Sequence, residues 1–250
     1  MDVNSLHHLF DYPAITIQDS FVFSHDRLYD IRVCPEHIPE SLVIKPSKTI
    51  SLAELSLETD LRFDNAVISY GANASVKYLL DKFAGMDVAI PVLRTRLRNH
   101  DVVYASYFCS DGTLPATIVE RKDAVIDVYY SFISDQEMQR LNETESLGVD
   151  YRLKSLDSSL FSHSLDFTNR TVCYECLHGP LQAGGTFFSM NALSGIDRCS
   201  QPFSQYQIQR MVHGMHFSHE DFYAFCESNV RDEIKREHRT RVLKGAGDGI

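Results

Sequence analysis

The chain has 250 residues and a formal net charge of −10, with 44% hydrophobic and 23% charged residues. This acidic balance argues against nucleic acid or an anionic membrane as a partner, because phosphate binding needs a basic surface. The length fits one large domain, or a domain with appendages.

The cellular compartment is indicated by the cysteines and by the first residues. Six cysteines are scattered along the chain, which favours reduced thiols over a disulfide framework. Residues 1–5 lack the basic and apolar stretches of a signal peptide, and no apolar run reaches membrane-spanning length. These features predict a cytoplasmic protein that does not enter a membrane, and they leave the oligomeric state open.

Residues 1–64 precede the first clear core strand and contain four prolines. Residues 15–17 and 21–23 can form short strands, and residues 51–55 have the pattern of a capped helical turn. The apolar content is too high for a disordered tail. We therefore predict that this N-terminal lead-in packs on the core.

Residues 66–73 form the pattern around which the chain is organised, a short apolar strand ending in Tyr-Gly-Ala-Asn. Helical spacing follows in residues 74–83, and Asn73 is a suitable cap for that helix. Gly71 can adopt a positive φ or let a ligand approach the backbone closely. Such a turn gathers unpaired N–H groups where a carboxylate or an oxyanion can bind. An ordinary strand-to-helix turn explains the same residues, and both interpretations stay open.

From residue 87 the pattern becomes strongly β. It predicts strands at residues 88–97, 101–109, 114–120 and 124–133, with a turn at residues 110–113. Arg94, Arg96 and Arg98 share one face of the first of these strands. They form either an anion site or, more simply, a solvated face with carboxylate partners.

Ser134 is predicted to begin a helix, because Glu137 stands at the capping-box position, and the helix is expected to end at residues 146–148. Further strands are predicted to start at residue 151 and to span residues 171–177. Strands without regular helix alternation favour an α+β fold. We predict a small, mixed, mostly antiparallel β-barrel with flanking helices.

Past residue 178 the sequence becomes helical. Helices are predicted at residues 203–212, 218–230 and 232–243, with a frayed end at residues 245–250. Ser218 is expected to cap the second helix, with Asp221 three residues on. The predicted organisation is a lead-in at residues 1–64, a core domain at residues 65–180 and a helical extension at residues 181–250.

Cys173 and Cys176, followed by His178, invite a metal or redox interpretation. Residues three apart on a strand point to opposite faces, so the two thiols are not expected to share a metal ion or a disulfide. Three histidines spaced three apart in residues 213–219 fall across a predicted turn, where isolated histidines are favoured over a metal site. The sequence therefore predicts no metal site and no cofactor. It also lacks a nucleophile elbow, a phosphate-binding loop and a dinucleotide fingerprint.

Glu143 and Glu145 end a predicted helix just before a strand. A glutamate at such a junction can be partly buried, which suits general acid–base chemistry. Residues two apart on a helix face different directions, so only one of the two is expected to enter a given pocket. A solvated helix end explains the same pair.

Together these segments resemble the gamma-glutamylcyclotransferase family over about residues 65–178. Four segments carry the resemblance, in chain order: the loop Tyr70-Gly71-Ala72-Asn73 for the family's Tyr-Gly-Ser-Asn, the glycine and strand of residues 112–118, the helix end of residues 141–145 with the Gly…Tyr segment of residues 148–152, and Tyr174 in the last strand.

The resemblance implies the family's fold and a cofactor-independent reaction that releases 5-oxoproline from a gamma-glutamyl amine or amino acid. Glu145 would be the general acid and base. The residues implied to bind this small-molecule substrate are Tyr70, Gly71, Ala72, Asn73, Tyr151 and Tyr174.

Two residues depart from the family pattern. Ala72 stands where the family loop has serine, which removes a hydroxyl but no backbone donor. Ser146 stands where a glycine commonly follows the catalytic glutamate. These departures leave open an alternative, a non-catalytic binding module that keeps the gamma-glutamyl pocket.

Overall fold

The computed structural model describes residues 6–15, 19–24, 27–59, 61–63, 65–163, 168 and 170–245. Within them the α-helices are α1 (His7–Phe10), α2 (Leu52–Glu58), α3 (Val76–Lys82), α4 (Asp135–Thr144), α5 (Gln205–His216), α6 (Phe222–Arg231) and α7 (Glu233–Gly245). The strands are β1 (Phe21–Ser24), β2 (Arg27–Arg32), β3 (Leu42–Ile44), β4 (Thr49–Ser51), β5 (Asn65–Ser69), β6 (Ala89–Tyr104), β7 (Ala116–Phe132), β8 (Tyr151–Ser155), β9 (Arg170–Cys176), β10 (Gln182–Ala183), β11 (Thr186–Phe187) and β12 (Gly195–Ile196).

One large sheet dominates the molecule. Its strand order is β4-β3-β2-β1-β6-β7-β5-β9-β8, with β12 also paired to β7, while β10 and β11 form a separate ribbon. Every pairing is antiparallel except that between β5 and β9, where Ala66 lies opposite Thr171. The predicted α+β class and the mostly antiparallel pairing are confirmed.

The predicted closure into a barrel is wrong. Strands β4 and β8 end the sheet and do not pair with each other. The physical reason is the lead-in: β1 pairs with β6, with Phe21 opposite Val92, and β2, β3 and β4 continue outward from it. The edge of β6 that a small barrel would use for closure is therefore occupied.

The four strands predicted between residues 88 and 133 belong mainly to one long hairpin of β6 and β7. The register shifts between Arg98 and His100. Asn99 and Asp123 have positive φ values of 57° and 66°, and the Asp123 N–H donates to the Asn99 side-chain oxygen at 3.1 Å. This irregularity interrupts the alternation of inward and outward side chains in each strand. The sequence pattern therefore predicts two strands in place of each long one. The turn expected at residues 110–113 is present.

Several local predictions are confirmed. The strand pattern at residues 21–23 corresponds to β1, and Ser51 and Glu54 form a capping box at the start of α2. Two of the aligned arginines, Arg94 and Arg96, lie 2.5 and 3.6 Å from carboxylate oxygens of Asp127, so they have carboxylate partners. Residues 16–17 of the other predicted strand, and residues 246–250 of the predicted frayed end, lie outside the described residues.

The C-terminal helices begin at sites that differ in part from the prediction. Asp221, rather than Ser218, caps α6, because its side-chain oxygen accepts hydrogen bonds from the N–H groups of Tyr223 and Ala224. Ser204 caps α5 through a capping box with Gln207. The lead-in, the central strands and the C-terminal helices share one cluster of buried apolar side chains, which runs from Leu6 to Leu243.

Among the described residues, none of the helices has both the length and the apolar character that crossing a bilayer requires.

Candidate functional site

The Tyr-Gly-Ala-Asn loop follows β5 and forms a single 3₁₀ turn, Ala72–Ala74, before α3 begins. Gly71 has φ −134°, so it does not adopt the positive φ that was one of the two roles considered for it. Space for a side chain is tight there instead: a Cβ on Gly71 would lie 3.1 Å from the hydroxyl of Tyr12 and 3.3 Å from Cβ of Ala116, so these neighbours would have to shift by a few tenths of an ångström. The close approach at this glycine is made by the protein's own side chains.

The prediction that Asn73 caps the following helix is wrong. Ser75 occupies the N-cap position of α3. The side-chain oxygen of Asn73 instead accepts a hydrogen bond from Nζ of Lys82 at 2.7 Å. Within the described part of the chain, the backbone N–H groups of Gly71, Ala72 and Asn73 donate to no protein acceptor. These three donors remain available to a ligand.

Glu145 is positioned by α4. Ser134 and Glu137 form the predicted capping box at the start of this helix, and Met138 and Leu141 are buried on its inner face. Glu145 is the C-cap residue, and its N–H donates to the carbonyl of Leu141 at 2.9 Å. The helix therefore begins on the core sheet and ends at the site.

The two glutamates at the end of α4 point in different directions. The side chain of Glu143 is 55% exposed and lies 3.5 Å from Arg140 on the same helix. That of Glu145 is 13% exposed and forms an ion pair with Lys82. Lys82 thus contacts both the loop, through Asn73, and the end of α4.

A cavity of about 40 Å³, called here the inner cavity, joins these parts. All seven residues that the resemblance places in the site line it: Tyr70, Gly71, Ala72, Asn73, Glu145, Tyr151 and Tyr174. The other lining residues are Tyr12, Ile68, Ser69 and Ala116. The structure therefore brings Glu145 from the end of α4 and the loop after β5 to one cavity.

The three predicted site tyrosines are held by hydrogen bonds within the protein. Tyr70 donates to the backbone carbonyl of Tyr174, and Tyr174 donates to the side-chain oxygen of Asn142 at 2.8 Å. The hydroxyl of Tyr151 lies 3.4 Å from the carbonyl oxygen of Ala116. Burial raises the pKa of all three tyrosines, so their hydroxyls stay protonated near neutral pH.

A second cavity of about 800 Å³, the outer cavity, shares Tyr12, Ala72, Glu145 and Tyr151 with the inner one. One of its walls is a single face of α7, with Glu233, Arg236, Glu237, Thr240, Arg241 and Lys244. The Thr240 hydroxyl accepts a hydrogen bond at 3.2 Å from the N–H of Phe108, which fixes this helix against the core. The C-terminal extension is therefore part of the site's surroundings.

The cysteines and histidines of the two motifs contact different parts of the protein. Cys173 and Cys176 are buried on β9, and burial raises the pKa of each thiol to about 12. His178 lies 2.9 Å from a carboxylate oxygen of Asp150 and lines the outer cavity. His213 contacts the backbone carbonyl of Glu220 at 2.9 Å. Among the described residues, no three His, Cys, Asp or Glu side chains are grouped so that they could hold a metal ion.

Sequence reasoning missed Lys82 and Tyr12. In the sequence, Lys82 is an ordinary basic residue at the end of a predicted helix. Its partner Glu145 is 63 positions away. Tyr12 lies in the lead-in, yet its hydroxyl accepts a hydrogen bond from the N–H of Ala116 and lies 3.1 Å from where a Cβ of Gly71 would be. Neither contact leaves a local signal, because both depend on how distant segments pack.

Comparisons with protein-family models, with curated proteins and with solved structures gave no match.

The arrangement combines three chemical elements in one place. A carboxylate, that of Glu145, can accept and return a proton. A cation, that of Lys82, neutralises this carboxylate and lies within reach of the loop. Three backbone N–H groups of the loop, which have no acceptor among the described residues, can donate to a negatively charged oxygen. Proton transfer at a carbonyl substrate is the chemistry that this set can support.

Proposed function

We propose that the protein is a gamma-glutamylcyclotransferase-type enzyme, which releases 5-oxoproline from a gamma-glutamyl amine or amino acid. The observation that carries the proposal is that Glu145 and the loop of residues 70–73 line the same inner cavity. The reaction needs these two components together: a proton carrier and donors for a developing oxyanion.

The substrate contains both reacting groups, so the enzyme gains mainly from orientation. Its α-ammonium gives a proton to Glu145, and the free amine attacks the γ-carbonyl carbon to close a five-membered ring. The carbonyl oxygen becomes anionic at this point, where the N–H groups of Gly71, Ala72 and Asn73 can donate to it. Collapse of this intermediate breaks the bond to the leaving nitrogen.

The protons balance through one carboxylate. Of the three protons on the α-ammonium, one stays on the ring nitrogen of 5-oxoproline. The other two pass in turn through Glu145 to the departing nitrogen, which leaves as an ammonium. The outer cavity, which Glu145 and Ala72 also line, has room for the leaving amine.

The backbone at Ser146 supports the resemblance despite the departure in sequence. Ser146 has φ +49°, in the left-handed region that glycine adopts most readily. A serine there follows the chain path that a glycine would take directly after Glu145. Ala72 likewise keeps its backbone N–H, and the residue lines the inner cavity.

The test compares Glu145→Gln with Glu143→Gln, assayed by 5-oxoproline release from a panel of gamma-glutamyl amino acids and amines. Glutamine keeps the shape of the side chain but cannot carry the proton, so Glu145→Gln should reduce turnover by about 10²–10⁴-fold. Glu143→Gln should be nearly neutral, because that side chain is exposed and points away from the cavity.

Equal turnover by wild type and Glu145→Gln would refute the catalytic role. A wild-type protein that binds a member of the panel by calorimetry, yet turns over none of them, would favour the alternative of a non-catalytic binding module.

A further inference from the structure

Among the described residues, Lys82 is the cation that contacts both the loop and Glu145. Its Nζ donates to the Asn73 side-chain oxygen at 2.7 Å and forms the ion pair with Glu145. The side chains of Lys82 and Glu145 are only 12% and 13% exposed. A positive and a negative group therefore lie side by side, largely out of water, where the two cavities meet.

The ion pair is not the sole link between α3 and α4 in the described part of the chain. The backbone carbonyl of Lys82 accepts a hydrogen bond at 2.7 Å from Nε of Arg140, which already links the two helices. Leu79 and Phe83 anchor α3 in the core. A largely buried ion pair of this kind contributes little net stability, because the cost of desolvating both charges offsets their attraction. The side chain of Lys82 is thus available to a ligand.

An α-amino acid head group carries the matching pair of charges, an ammonium and a carboxylate on one carbon. We propose that Lys82 binds the α-carboxylate of the substrate while Glu145 receives its α-ammonium, which makes Lys82 the residue that selects for this carboxylate. One ion pair of the protein is exchanged for two between protein and ligand. The Lys82–Glu145 pair has no net charge, and neither does the head group, so all four charges end with an opposite neighbour.

This exchange also prepares the reaction, and in this respect the inference rests on the proposed function. Once the α-carboxylate takes over Lys82, Glu145 is freed from its cation and faces the ammonium from which it must take a proton. A substrate without the carboxylate brings a second cation to Glu145, whose charge Lys82 already neutralises. Such a substrate should be rejected although its amine and carbonyl are unchanged.

The experiment pairs γ-glutamyl-alanine with 4-aminobutyryl-alanine, which lacks only the α-carboxylate, and follows alanine release. Wild type should favour the first by about 100-fold in kcat/KM, since truncating one side of a desolvated charge pair is costly. In Lys82→Met, KM for γ-glutamyl-alanine should rise by about 30-fold or more, and the preference should collapse. Lys82→Arg, which keeps the positive charge, should retain part of the preference for γ-glutamyl-alanine. Lys77→Met, on the exposed side of α3, serves as the control.

A Lys82→Met variant that loses kcat equally on both substrates, with the preference intact, would overturn the proposal and leave Lys82 as a support for Glu145. A second measurement does not depend on catalysis: calorimetric binding of L-glutamine and of 4-aminobutanamide. If wild type binds L-glutamine through Lys82 but turns over nothing, the proposed enzyme function fails while head-group selection stands. If neither compound binds and nothing is turned over, both proposals fail.

Discussion

The hydroxyl oxygen of Tyr12 accepts a hydrogen bond from the backbone N–H of Ala116, with 3.2 Å between oxygen and nitrogen. Tyr12 belongs to the N-terminal lead-in and Ala116 is the first residue of β7. The same hydroxyl is the nearest group to the missing Cβ of Gly71. One tyrosine from outside the predicted core domain therefore determines how much space the loop has.

The first prediction follows from this contact. Gly71→Ala should lower the free energy of unfolding by about 1–2 kcal/mol, because its methyl group meets Tyr12 and Ala116 at 3.1 and 3.3 Å. Gly214→Ala is the matched control: Gly214 is exposed in α5 with nothing within 4 Å, so the change should stabilise by about 0.5 kcal/mol. Urea denaturation measures both. An equal change in the free energy of unfolding of the two variants would show that the loop has room for a methyl group at residue 71.

The second prediction concerns Arg239, which joins α7 to α6. Arg239 is 2% exposed and donates to Glu220 and to the side-chain oxygen of Asn229, while its guanidinium lies 4.4 Å from the ring centre of Phe225. Arg239→Met should cost about 2–3 kcal/mol, because its partners lose their donor. Since α7 forms one wall of the outer cavity, the variant should also weaken binding of bulky substrates.

The control for Arg239 is Arg231→Met, which removes an arginine that is 71% exposed and paired with Glu227 at 2.8 Å. Exposed ion pairs of this kind contribute little, so a change within about 0.5 kcal/mol is expected in urea denaturation. Similar losses in both variants would mean that the buried network around Arg239 adds no more stability than a surface pair.

The third prediction concerns the buried thiols. Burial raises the pKa of Cys173, Cys176 and Cys226 to about 12, so at pH 8 only about 1 in 10⁴ of each is thiolate. Below the pKa the thiolate fraction grows about tenfold per pH unit, so any reaction should speed up by that factor from pH 8 to pH 9. Iodoacetamide at pH 8 should leave these three cysteines unmodified in the native protein, as read by mass spectrometry.

All six cysteines should react after denaturation, which is the internal control for the thiol experiment. Rapid native-state modification of Cys173 or Cys176 would contradict their burial on β9. It would also reopen the redox interpretation of the Cys-x-x-Cys motif.

The fourth prediction concerns the helix that ends at Glu145. The Ser134 hydroxyl accepts a hydrogen bond from the N–H of Glu137, and the Glu137 side chain accepts one at 2.6 Å from the N–H of Ser134. Ser134→Ala should therefore cost about 1–2 kcal/mol in thermal or urea unfolding. Ser110→Ala, at an exposed turn position, should change stability by less than about 0.5 kcal/mol. A neutral Ser134→Ala would show that packing alone holds α4.

The features that could be predicted from the sequence are those with a local cause. The start of α4 was predictable because Ser134 and Glu137 stand three residues apart and satisfy each other's backbone groups. The strand β5 was predictable because five consecutive residues, Asn65–Ser69, carry the pattern of a nearly continuous buried strand. The antiparallel character followed from strands that succeed one another without intervening helices.

The features that could not be predicted depend on distant segments. Nothing near Phe21 indicates that β1 pairs with β6, so the open sheet was mistaken for a closed one. The left-handed conformations of Asn99 and Asp123 depend on a hydrogen bond across the hairpin, and they concealed the continuity of β6 and β7. In the site, the partnership of Lys82 with Glu145 has the same origin, since only tertiary packing brings α3 and α4 together.

The parallel pairing of β5 with β9 has a consequence for the order in which the chain folds. Ile68 of β5 lies opposite Tyr130 of β7 and, on its other side, opposite Cys173 of β9, which follows it by 105 positions. Contacts of such long sequence separation form late, because a long loop must be closed first. During synthesis, one edge of β5 therefore stays unpaired until β9 has emerged from the ribosome. A chain that stops before residue 170 would expose this apolar edge permanently, as a template for aggregation.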